Sequence, residues 1–217
     1  MATKDETTTG TKSAKGAWQG SLLIGLKFAL AFLLLPLVIG STAALQGQID
    51  GFDATIKHTL WSGLVIYLIL KFFVYDFSHV YKFGQGMVTF CFQFLKPLVN
   101  AASYVIPIYT VFVLLAYAAV AALGQLAAWK SILLTLVSAT FSMHIILTAQ
   151  DLYAKDSVFG KPTYFFGMEL VYIIDVFLIA LVMNVVLPGF SFIEFFKSLG
   201  GVSLGMYKTA FGQLFGF

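Results

Sequence analysis

Four polar side chains, His144, Glu169, Tyr172 and Asp175, sit where the surrounding sequence is almost wholly apolar. An ionisable group in hydrocarbon costs at least ~2.5–3.5 kcal/mol on insertion scales, so such groups are functional candidates by default. Asp175 is the strongest, in the middle of the apolar run from Tyr164 to Leu187. At 100° per residue it shares a broad helical arc with Glu169, Tyr172, Ile179 and Met183, a face that must point into protein or water. A carboxyl buried there is held most cheaply as the neutral acid. That suits a proton carrier and a plain interhelix hydrogen bond equally well. Glu169 is close enough to the start of the run to reach the headgroups. His144 has a proton-relay reading and a plainer one, a neutral histidine with its hydrogen bonds satisfied.

A second pattern is carried by hydroxyls. Ser131, Thr135, Ser138 and Ser142 recur at i, i+4, i+7 and i+11, with Thr140 and His144 on the opposite side. A helix polar on two sides belongs inside a bundle. Small hydroxylated residues let helices approach closely and exchange hydrogen bonds of about 0.6 kcal/mol each. The expected partner is the small surface of Ala118, Ala119, Ala122 and Gly124, with Ala118 and Ala122 as its main contacts; a wet path is the alternative.

Other constellations are poor in chemistry. Asp50 and Asp53 are too few for a calcium ion, which takes six to eight oxygens, and fit a solvated turn. His58, His79 and His144 lie in separate segments without zinc-ligand spacing. Cys91 is the only cysteine, so no intrachain disulfide is available. No nucleophile elbow, phosphate loop or dinucleotide fingerprint is present. The expectation is a chain that is not an enzyme, with no cofactor and no metal.

The elements that must position these residues follow from composition. Of 217 residues 59% are apolar and 11% charged, with a mean hydropathy of +0.90, whereas soluble domains carry about 25% charged residues. About 20 apolar residues cross a bilayer at 1.5 Å per residue, and five runs come near that length. The fold class expected is all-α: a polytopic transmembrane helical bundle of about five spans plus interfacial amphipathic helices. Residues 1–16, rich in Thr, Lys and Gly, read as a flexible cytoplasmic tail. The transmembrane domain covers 17–189, with spans near 28–45, 60–75, 98–123, 131–148 and 164–187 and a kink at Pro107. Met87, Phe90, Cys91, Phe94 and Leu95 line one face of an interfacial helix over 86–96. Residues 190–217 read as a C-terminal amphipathic interfacial segment, Phe192, Phe195, Phe196 and Leu199 before a break at Gly200–Gly201 and Leu204, Tyr207 and Phe211 after it; a re-entrant hairpin or a sixth span is the alternative.

Lysines set the orientation, because all 13 basic residues are lysine. With the N-terminus inside, Lys4, Lys12, Lys15, Lys27, Lys71, Lys82, Lys96, Lys155 and Lys161 are cytoplasmic, against Lys57, Lys130, Lys197 and Lys208 outside. Nine against four places the N-terminus in the cytoplasm and, for five spans, the C-terminus on the opposite side. The membrane expected is the bacterial inner (cytoplasmic) membrane. Lys27, the core Phe28–Val38 and Ser41-Thr42-Ala43-Ala44 also resemble a cleavable secretory signal, which would leave four spans. The absence of arginine argues against nucleic-acid binding. Partners expected are membrane lipids and other membrane proteins, in a homo- or hetero-oligomer. The function expected is a non-catalytic subunit of a multi-component membrane assembly of secretion, conjugation or translocation type. The alternative is a small proton- or ion-coupled transporter or channel using Asp175.

Overall fold

Apolar runs whose backbone must satisfy itself become helices, and the structure, a computed structural model, is helical with short connecting turns, and without a strand, over the residues it describes, 7–94, 99–155 and 162–216. The helices are α1 (Thr7–Asp50), α2 (Ala54–Phe73), α3 (Ser78–Phe92), α4 (Val99–Val105), α5 (Ile108–Ala122), α6 (Leu126–Lys155), α7 (Pro162–Val186) and α8 (Phe192–Phe215). Among the described residues four are long and apolar enough to cross a membrane, over Ser21–Asp50, Ala54–Phe73, Leu126–Ala154 and Tyr164–Val186. The all-α helical bundle is therefore as expected, and its apolar helices are compatible with an integral membrane protein.

Three boundaries differ from the sequence reading. Helix α1 begins at Thr7, so residues 7–16 continue it instead of forming a flexible tail; once a helix is nucleated, each added residue costs little. The expected third span is broken rather than kinked. Pro107 has no amide to donate and disfavours helical backbone at Ile106, so α4 ends at Val105 and α5 restarts at Ile108. At 15 residues, α5 is about 22 Å long, short of a bilayer. The interfacial helix starts at Ser78, not 86, because Asp76 Oδ1 accepts from both the Ser78 amide (3.0 Å) and hydroxyl (2.6 Å) and sets the first turn. Those bonds hold the exposed Asp76 carboxyl below the usual aspartate range. Residues 1–6 of the expected tail, 95 and 96 of the interfacial helix, 98 of the third span and 217 of the C-terminal segment lie outside the described residues.

Side-chain contacts fix the direction of each helix. At one end, here called distal, Gln48 at the close of α1 brackets Ser191 before α8, donating to its carbonyl (2.8 Å) and accepting from its amide (2.9 Å). The Tyr117 hydroxyl, late in α5, donates to the Val186 carbonyl there at 3.2 Å. At the proximal end Tyr109, early in α5, donates to the Val80 carbonyl (2.5 Å). The rings of Tyr153 and Tyr164, from the end of α6 and the start of α7, meet there at 6.0 Å. Helices α1, α5 and α7 thus rise from proximal to distal, and α2, α6 and α8 return.

Helix α8 lies along α1, not across the end of the bundle, and runs unbroken through Gly200 and Gly201. Ser203 Oγ donates to the Pro36 carbonyl (3.0 Å) and Tyr207 to that of Leu33. The docking turn of α1 contains Pro36, whose missing amide leaves the Phe32 carbonyl, not the two that α8 takes up, without its helical donor. Gly40 permits the approach, since a Cβ there would meet Ser203 Oγ and stand 3.3 Å from the Leu199 carbonyl. Ser191 caps α8 by accepting from the Glu194 amide at 3.2 Å, which accounts for Glu194 as a first-turn residue. In place of two short helices parted at Gly200–Gly201, residues 192–215 form one helix antiparallel to α1 that ends at the proximal side.

The hydroxyl seam of α6 meets α2. Ser138 Oγ donates to the Leu60 carbonyl at 2.5 Å, and a Cβ on Gly63 would meet Thr135 O and stand 2.7 Å from Ser138 Cβ. Thr135 and Ser142 bond back to their own helix, to Ser131 O and Ser138 O. Ala118 and Ala122 are exposed and take no part; Gly63, lacking a Cβ, offers α6 a closer approach than any alanine. Thr140, on the other side of α6, reaches Thr110 of α5 at 3.1 Å.

Candidate functional site

Helix α6 is the most enclosed of the four long helices, with 44% of its apolar window buried. Its inward stripe of Leu133, Leu134, Val137, Phe141, Met143 and Leu147 carries His144 and Thr148 with it. On α7 the stripe of Ile173, Val176, Ala180 and Met183 likewise carries Asp175. Where the stripes meet, His144 Nε2 stands 3.7 Å from Asp175 Oδ1. His144 is 5% exposed and Asp175 1%, so bulk water does not screen them.

At 3.7 Å the two atoms are within Coulombic reach yet beyond the ~2.7–3.2 Å of an N–H···O bond. Neither Nε2 nor Oδ1 has a hydrogen-bond partner among the described residues. Beside them, between α6 and α7, is a cleft of about 30 Å³ whose polar lining is Thr148, Tyr172 and Asp175, the rest being apolar, Ala149 and Met168 among it, while a cavity of about 10 Å³ touches His144 and Tyr81. A polar site of ~10–15 Å³ accepts a water, so the cleft has room for about two. The arrangement is a carboxyl and an imidazole that can share one proton directly or through water, and whose ionisations are necessarily coupled.

Helix α3 supplies the flank on the proximal side. Tyr81 lies 6.2 Å from His144, ring to ring, and its hydroxyl is 2.7 Å from Thr148 Oγ1 while accepting from Gln85 Nε2 at 3.0 Å. Burial pushes the Tyr81 hydroxyl up to about 12, so at neutral pH it keeps its proton and acts as both donor and acceptor. Phe141 closes the other side of His144, ring to ring at 6.3 Å.

Of the residues singled out in sequence, the structure joins His144 to Asp175. Tyr172 lines the cleft, but its hydroxyl turns to α1 and pairs with Thr42 Oγ1 at 2.8 Å. Glu169 is half-buried with Oε2 unpaired; six residues before Asp175, it is about 9 Å nearer the proximal end and turned about 120° away. Tyr81, Gln85 and Thr148 are the residues that sequence reasoning missed. The periodicity that marked Met87 and Phe90 extends backwards on another face, where Tyr81, Gly84 and Val88 are buried at i, i+3 and i+7. Thr148 is one turn after His144.

Among protein-family models, curated proteins and solved structures, none matches this chain.

Proposed function

We propose that this chain is a small proton- or ion-coupled membrane transporter or channel, non-catalytic, that takes up and releases a proton at the His144–Asp175 pair. The observation that carries the reading is the pair's open geometry: two buried ionisable groups 3.7 Å apart, each with an unpaired atom, beside a cleft of water size. A pair kept only to hold helices together gains most by closing to hydrogen-bond distance. The host is proposed to be the bacterial inner membrane with the proximal end cytoplasmic. Along the described helices Lys12, Lys15, Lys27, Lys71, Lys82, Lys155 and Lys208 belong to the proximal half, against Lys57, Lys130 and Lys197 distally.

The second reading, a subunit of a larger membrane assembly of secretion, conjugation or translocation type, rests on a different observation. Only 6% of the apolar window of α1 is covered, and Ala118 and Ala122 of α5 are bare, a surface that another helix can approach closely. One preparation tests both. Protein purified in mild detergent and reconstituted should support pH-driven flux that Asp175→Asn abolishes while leaving the fold intact. Equal flux in both forms refutes the transport reading; a chain that purifies alone and monomeric refutes the assembly reading.

A further inference from the structure

The geometry points to one-sided access: water and protons reach the His144–Asp175 pair from the proximal end, through the α6–α7 cleft and the Tyr81–Thr148 hydroxyl pair, and the distal side is sealed. This rests on the reading of the pair as a proton site. On the proximal side a chain of polar contacts leads to the cleft that Asp175 lines. Gln85 donates to Tyr81, Tyr81 pairs with Thr148, and Thr148 and Asp175 line the same cleft. Ionisable groups around this route, among the described residues, include Tyr81 of α3, Tyr67 of α2, Tyr104 of α4, Tyr109 of α5, Asp151 of α6, and Glu169 and Tyr172 of α7. Buried atoms without a hydrogen-bond partner, Tyr67 Oη and Glu169 Oε2 among them, also lie on this side, and buried polar atoms left unpaired by protein are where water binds.

Distally the surroundings change character. Val176, Ala180, Met183, Val186, Leu187, Phe190 and Phe195 form one apolar core with Ala44, Leu60 and Leu134. The larger cleft on that side, about 180 Å³ between α1, α2, α6 and α7, is lined mainly by apolar side chains such as Leu45, Leu60, Phe141, Ile179 and Met183, with Gln46, Ser138 and Ser142 as its polar members and no ionisable group. Ile145 lines both clefts, so a single side-chain layer separates the one that holds Asp175 from the one that holds no ionisable group. The state described is thus open to one side only, and transfer of a proton across needs the α6–α7 contact to rearrange.

Cysteine accessibility tests this without depending on proton uptake. In a Cys91→Ser background, Ala149→Cys and Ile179→Cys are treated with a charged, membrane-impermeant methanethiosulfonate in vesicles of each orientation. Loss of the free thiol is expected for Ala149→Cys from the proximal face alone and for Ile179→Cys from neither face. Modification of Ala149→Cys from the distal face, its protection from both faces, or modification of Ile179→Cys overturns one-sided access. The infrared carboxyl band of Asp175, identified by its loss in Asp175→Asn, is followed in the wild-type chain as a separate readout. A band indifferent to pH overturns the proton-site reading and leaves the accessibility result standing. With a responsive band, Thr148→Val should slow its response to a pH jump without moving the midpoint; an unchanged rate removes Thr148 from the route.

Discussion

Removing either member of the buried pair should cost more than removing both. His144 and Asp175 are separated by 3.7 Å, and at an effective dielectric constant near 20 that separation corresponds to about 4 kcal/mol between unit charges. Because exposure is 5% and 1%, little of this is lost to solvent screening. His144→Leu or Asp175→Leu alone strands the surviving partner in an apolar site, for which a loss of about 3–5 kcal/mol is expected. The double variant has no stranded group, and the two adjoining cavities leave space for the added methyls; it should regain most of the loss, so that the coupling energy, the sum of the single costs less that of the double, exceeds either single cost. The assay is reversible unfolding in mixed micelles, followed by far-ultraviolet circular dichroism, as a double-mutant cycle. Single variants that cost under about 1 kcal/mol each and add to within about 0.5 kcal/mol would refute the claim that the pair is buried and interacting.

Two further outcomes follow from the packing. Gly63→Ala places a methyl against Thr135 O and Ser138 Cβ, forcing α2 from α6 at a cost of about 1–3 kcal/mol, whereas Gly201→Ala, which meets nothing within 4 Å, should be neutral or slightly stabilising in detergent thermal melts. Because α8 returns along α1 to the proximal end, reporters fused to the N- and C-termini should be active on the same side of the membrane; activity on opposite sides would show that α8 does not cross with α1.

The sequence alone determined the class of the fold and its most costly residue. Apolar runs near bilayer length must be helices whatever their neighbours, since no other backbone satisfies itself in lipid. Asp175 stands out by depth in its run, again without reference to a partner. The enclosure of α6 was legible in the same way, from polar residues on two sides of one helix. What tertiary structure decided was pairing. Hydroxyl spacing showed that α6 packs closely against something, but the choice of Gly63 over the alanines of α5 depends on which helix arrives without a Cβ. Phe192, Phe195, Phe196 and Leu199 argued for a short amphipathic helix that stops at Gly200–Gly201, yet α8 runs on along α1, where Ser203 and Tyr207 donate to the Pro36 and Leu33 carbonyls, contacts spanning most of the chain. The meeting of His144 with Asp175, and of both with Tyr81 and Thr148, likewise exists only once α3, α6 and α7 are brought together, because local periodicity fixes the face a residue occupies and long-range packing fixes what that face meets.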